Sequence, residues 1–162
     1  MSDRWSRHWG TKLSGCDSTS RSYQLLRVML STGLTDDEKR RLIEEYWTLC
    51  EAWGDLLEYA LVMLAQLKPV GDPLPQAGTL TVYRATGGVE PDGGSWTLRR
   101  DVADFFARMI NSPRGAILGM RSTTPAIWRA QVDTDDVLGY FDGRNEAEVV
   151  IPHGVARHVE HA

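Results

Sequence analysis

A change of hydrophobic period divides this chain near its middle. Leu42, Tyr46, Leu49, Trp53, Leu56, Ala60 and Leu64 recur at steps of three and four, the spacing of one helix face. Ile43, Trp47, Cys50, Leu57 and Leu61 form a second apolar flank, so the spacing predicts a long helix buried on two sides, with Gly54 as a break or a close-packing point. Thr35-Asp36-Asp37-Glu38 supplies its capping box, and Tyr23 to Leu30 is a shorter helix before it. Lys68-Pro69-Val70-Gly71-Asp72-Pro73 and Pro75 then end the helical pattern. Beyond Gly78 the apolar runs are short and turn-bounded, which predicts strands at Leu80 to Ala85, Ala116 to Met120, Ile127 to Val132 and Glu148 to Ile151. A helix over Asp101 to Asn111 interrupts them, with Val102, Phe105, Phe106 and Met109 on its buried side. The expected class is α+β: a flexible segment 1–22, rich in Ser, Thr and Gly, a helical region 23–70 and an α+β region 78–162, forming a single compact unit.

Charge and cysteine content narrow the function classes. The net charge of −4 argues against a general nucleic-acid binder, although Arg4, Arg7, Lys12, Arg21 and Arg27 make the N-terminal segment locally basic. Cys16 and Cys50 have no zinc spacing, and no signal-like apolar region opens the chain, so a cytoplasmic protein is expected. The apolar run Tyr59 to Leu67 is too short to span a bilayer. His158-Val159-Glu160-His161 reads as a frayed tail, and no metal site is expected. Arginine far outnumbers lysine, a bias that suggests a G+C-rich coding sequence and a bacterial or phage source.

Three short motifs carry the chemistry. Arg84 lies in the strand-like run Val82-Tyr83-Arg84-Ala85, where its guanidinium fork can pair with phosphate or ribose oxygens. Ser95-Trp96-Thr97 follows Gly94 as a small triplet at the start of a helical segment, and Ser95 could fix the rotamer of a carboxylate. Glu146-Ala147-Glu148 leads the apolar strand Val149-Val150-Ile151, and period-two alternation would send both carboxylates from one face. Like charges so placed are unfavourable unless a cation or polar ligand answers them; a solvated strand edge is the competing reading.

The order Arg, Ser-x-Thr, Glu-x-Glu resembles the R-S-E class of mono-ADP-ribosyltransferases over about residues 78 to 152, with Trp96 and Thr97 replacing the last two members of the usual Ser-Thr-Ser. The resemblance implies a small split β-sheet with the N-terminal helices packed on it, and NAD as cosubstrate. It assigns Glu148 to cleavage of the nicotinamide–ribose bond, a step with an oxocarbenium-like transition state that a carboxylate stabilises. It assigns Glu146 to the acceptor, a protein arginine, whose guanidinium a carboxylate can orient and deprotonate. Arg84, Ser95, Trp96 and Thr97 would hold NAD, with Trp96 stacking on or covering the nicotinamide. Tyr140 and Phe141, on the loop before the Glu pair, would recognise the target. The partner is then a protein, with no membrane; oligomeric state is open. The rival readings are an NAD glycohydrolase and a catalytically inactive partner-binding protein of the same fold.

Overall fold

A computed structural model of the chain describes residues 2–51, 53–117, 121–122 and 124–162. They form two compact units, Met1–Asp72 and Pro73–Ala162, where a single unit was expected; the boundary falls inside the proline-rich stretch. Both helices and a multi-stranded sheet are present, as the α+β class requires.

The first unit holds helices α1 (Ser2–Ser14), α2 (Arg21–Leu30), α3 (Asp36–Tyr46) and α4 (Leu57–Leu67), and the short strand β1 (Val70–Gly71). The segment expected to be flexible is helical because Trp9 and Leu13, one helical repeat apart, are both buried. Arg21 fastens it, donating to the carbonyls of Leu13, Cys16 and Leu49 at 3.1, 2.6 and 2.8 Å. The capping box forms as expected: Glu38 N–H donates to Thr35 Oγ1, and Thr35 N–H to the Glu38 carboxylate. The long helix does not. It stops at Tyr46, passes through two 3₁₀ turns, Trp47–Leu49 and Gly54–Leu56, and resumes at Leu57. Gly54, at φ +50°, takes a backbone conformation that glycine adopts without penalty, and Trp53 stacks back on Trp47 with ring centroids 4.7 Å apart.

The second unit holds strands β2 (Thr79–Thr86), β3 (Gly94–Thr97), β4 (Ala126–Asp133), β5 (Gly139–Phe141), β6 (Glu148–Ile151) and β7 (Arg157–His161), with α5 (Arg100–Ile110) and α6 (Pro113–Ile117) between β3 and β4. The strands lie in the order β5-β6-β3-β2-β4-β7, each neighbour antiparallel. β2 and β4 pair along their whole length, from Thr79↔Asp133 to Thr86↔Ala126. β2 and β3 meet at the single pair Tyr83↔Thr97, so the sheet is two three-stranded halves joined by a narrow seam. Leu80, Val82, Trp96, Trp128, Val132, Val149 and Ile151 build one continuous core.

Several expectations are corrected here. Ala116 and Ile117 end helix α6 instead of starting a strand, and the remainder of that expected strand, 118–120, lies outside the described residues. Ser95-Trp96-Thr97 is itself strand β3, not the opening of a helix. In α5 the buried line runs through Ala103 and Ile110, leaving Phe105 55% exposed, because two successive Phe residues are about 100° apart on a helix. The tail is no frayed end: β7 pairs with β4, Arg157 and Asp133 are 2.6 Å apart, Arg129 binds Glu160, and His161 lies over Trp128. No described helix is long and apolar enough to cross a membrane.

Candidate functional site

The register of β3 against β6 assembles the central pair. Thr97 lies opposite Glu148 and Ser95 opposite Val150, so alternation turns Ser95, Thr97 and Glu148 toward the same face. Across that face Ser95 Oγ donates a short hydrogen bond to Glu148 Oε1. The hydroxyl restricts the carboxylate's rotamer, while Glu148 stays half-buried and within reach of solvent. Like the Thr35–Glu38 capping box, this is an expected side-chain partnership that forms as the sequence suggested.

Thr97 does something else. It is buried, and its Oγ1 donates to the Glu146 carbonyl at 2.5 Å while accepting from Arg99 N–H at 3.0 Å. It holds backbone and has no hydroxyl to spare for a ligand. Trp96 points the opposite way into the core, 2% exposed, with its indole N–H donated to the Asp92 carbonyl at 2.9 Å. A ring so enclosed has no free face to stack on a nicotinamide.

Glu146 is not part of the strand. β6 begins at Glu148, and both Asn145 (φ 56°) and Ala147 (φ 47°) have left-handed backbones. The alternation expected to align Glu146 with Glu148 therefore does not apply; chain connectivity alone keeps their Cα atoms within about 7 Å. Asparagine tolerates this conformation, but for alanine it costs on the order of 1–3 kcal/mol. The surroundings hold it in place. Asp142 accepts from Ala147 N–H through its carboxylate (3.1 Å) and from Asn145 N–H through its carbonyl (2.9 Å). Leu98 N–H binds the Ala147 carbonyl (3.1 Å), and Arg99, paired with Asp101, reaches the Asn145 carbonyl (2.9 Å). The Arg99 guanidinium in turn keeps the Asp101 carboxyl below its ordinary pKa. On this braced loop the Glu146 carboxylate is 3.5 Å from Arg144 Nε.

Arg84 is one residue past Tyr83, the partner of Thr97, so it leaves β2 on the side opposite Thr97 and Glu148. Its Nη1 crosses to the segment before β3 and donates to the Gly93 carbonyl at 2.8 Å. Burial pushes the guanidinium below its ordinary pKa, and among the described residues no carboxylate pairs with it. Gly93 is required there: a Cβ would stand 2.7 Å from the His153 backbone nitrogen. Its own N–H donates to His153 Nδ1 at 3.2 Å.

Tyr140 and Phe141, expected on an exposed recognition loop, lie in β5 at 8% and 2% exposure; Tyr140 joins the core beside Val149, whereas Phe141 is buried on the other face, opposite Glu148. Sequence reading missed Asp142 and Arg99 as loop braces. Asp142-Gly143 is a turn signal that could have pointed to the first. In comparisons with protein-family models, with curated proteins and with solved structures, the chain matches none.

Proposed function

We propose that the second unit is a mono-ADP-ribosyltransferase module of the R-S-E kind, using NAD as cosubstrate and a protein arginine as acceptor. The observation that carries this reading is the Ser95–Glu148 hydrogen bond, a hydroxyl fixing a half-exposed carboxylate between two strands. A carboxylate so held is preorganised for a charge that appears only in the transition state, and so needs little reorganisation when the charge develops. Glu148 would stabilise the ribosyl cation as the bond from its C1″ to nicotinamide breaks and nicotinamide leaves neutral. Arg84 supports the reading from another side. A half-buried cation whose described partner is a neutral carbonyl is costly unless an anion completes it, and a pyrophosphate would do so. Because Arg84 leaves β2 on the face opposite Glu148, one NAD would meet both only by passing through the β2–β3 seam. The single residue pair at the β2–β3 seam is compatible with the split sheet that the resemblance implies.

Glu146 would take the proton from the incoming guanidinium. Glu146→Gln should therefore depress transfer to an arginine analogue such as agmatine by about two orders of magnitude, the scale of a general base, while NAD hydrolysis persists. Rates of ADP-ribosyl-agmatine and free ADP-ribose formation, measured side by side, check this division. Equal loss of both products would refute it.

One observation favours a second reading, an NAD glycohydrolase. With Tyr140 and Phe141 buried, neither is available on the loop before Glu146 to choose a protein target, and water could then be the acceptor. ADP-ribose accumulating with no labelled protein in an extract would select it.

A further inference from the structure

We infer that His153 is a positioning residue for Arg84: acting through Gly93, its protonation decides whether Arg84 is held by the protein or released to an anion, so that NAD affinity rises as pH falls. The inference rests on the anion-binding role proposed above for Arg84. Three residues are linked in series at the end of the sheet where β3 begins and β6 finishes. Arg84 Nη1 donates to the Gly93 carbonyl at 2.8 Å, and Gly93 N–H donates to His153 Nδ1 at 3.2 Å. The same ring nitrogen faces a second group, the Asp92 carboxylate, whose Oδ2 is 3.3 Å away. Asp92 is itself fixed: Oδ1 accepts from Gly154 N–H (2.8 Å), and its carbonyl accepts from the Trp96 indole (2.9 Å).

One ring nitrogen cannot serve both neighbours at once. With a lone pair, Nδ1 accepts from Gly93 and offers nothing to Asp92, whose oxygen is also an acceptor. With a proton, Nδ1 donates to Asp92 in a charge-assisted bond and meets the Gly93 N–H donor to donor. Imidazole is the side chain whose charge changes between about pH 5 and 8, so the exchange of partners falls in that window. Gly93 carries the change to Arg84. It is buried, so its displaced N–H has no water at hand and the residue must turn to find another partner. Ring and backbone are also in direct contact, since a Cβ on Gly93 would stand 2.9 Å from Nδ1. A glycine turns readily, and its carbonyl moves with its N–H. Arg84 then loses the neutral group that anchors Nη1. Asp92 faces the ring from the segment before β3, and Arg84 stands on β2 behind Gly93. A freed guanidinium donor and a new positive charge on His153 both favour an anion, so the two effects share one sign.

The test has two parts. In the unliganded protein, NMR spectra from about pH 8 to pH 5 should show the Gly93 amide and Arg84 Nε–H signals moving with the midpoint of the His153 ring. His153→Asn supplies an oxygen that can accept from Gly93 at every pH and does not titrate, so both signals should then stay still. Wild-type signals indifferent to the His153 midpoint would overturn the inference with no ligand involved. The second part measures NAD affinity by calorimetry over the same range, where the diphosphate of NAD, a diester, keeps its charge. Affinity should rise about 5-fold or more toward low pH, the lower end of the usual coupling between two sites. His153→Asn should flatten the profile at its weaker, high-pH value. A flat wild-type profile, or a His153→Asn profile as steep as wild type, would overturn the inference and leave the proposed function standing. No NAD binding at any pH would overturn the proposed function, and the inference with it.

Discussion

Glu148→Gln should lower nicotinamide release by at least about two orders of magnitude, the usual loss when one preorganised electrostatic contact to a transition state is removed. The substitution keeps the shape of the side chain and an oxygen able to accept the Ser95 hydroxyl, so the β3–β6 pairing at Thr97↔Glu148 should survive. Substrate affinity should change little, because the charge matters only as the ribosyl cation develops. Single-turnover nicotinamide release and calorimetric NAD affinity, measured on the same preparation, separate the two effects. A folded Glu148→Gln protein with near-normal turnover would remove Glu148 from the chemistry and with it the proposed function.

Arg84→Met should act in opposite directions on ligand and fold. A charge-assisted hydrogen bond to an anion contributes about 1.5–3 kcal/mol, so NAD affinity should fall roughly 10- to 150-fold. The unliganded protein should meanwhile lose nothing in thermal stability, or gain. Burial disfavours the charged guanidinium in the folded state, and the Gly93 carbonyl compensates only part of that cost. Methionine fills much of the same volume without a charge to desolvate, at the expense of one hydrogen bond worth about 1 kcal/mol. Thermal melts with and without NAD read both effects. Unchanged NAD affinity would place the ligand elsewhere, and a large drop in the melting temperature of the unliganded protein would show that Arg84 is structural.

The sequence was most legible where one local rule governed. The capping box at Thr35 and Glu38 and strand β6 from Glu148 to Ile151 lie where their letters put them. The Ser95–Glu148 partnership needed a long-range register, yet the motif order alone suggested it. Legibility failed where backbone conformation departs from what the side chains advertise. The apolar stripe from Leu42 to Leu64 reads the same whether the helix runs through or doubles back, and the turn rests on Gly54 and the stacking of Trp47 on Trp53. Ala147 gives no sign of a left-handed backbone, since only the Asp142 and Leu98 hydrogen bonds hold it there. Trp96, Tyr140 and Phe141 read equally well as ligand or target contacts, because aromatics suit both a core and a binding surface; in the fold all three are buried. β7 escaped notice because its charged residues are answered from β4, which no short window of sequence reveals.

The single Tyr83↔Thr97 pair between β2 and β3 has a consequence for amide hydrogen exchange. Strands paired along their length, such as β2 with β4, protect their amides collectively, and such regions open only at a free energy near that of global unfolding. One pair cannot do this, so amides flanking the seam should exchange through small, frequent openings. A ligand passing through the seam, from Arg84 on one face to Glu148 on the other, would tie the two halves together and slow that exchange, even in a Glu148→Gln protein that turns nothing over. Deuterium uptake at the seam therefore reports occupancy separately from chemistry, and uptake indifferent to NAD would mean that no ligand bridges the halves.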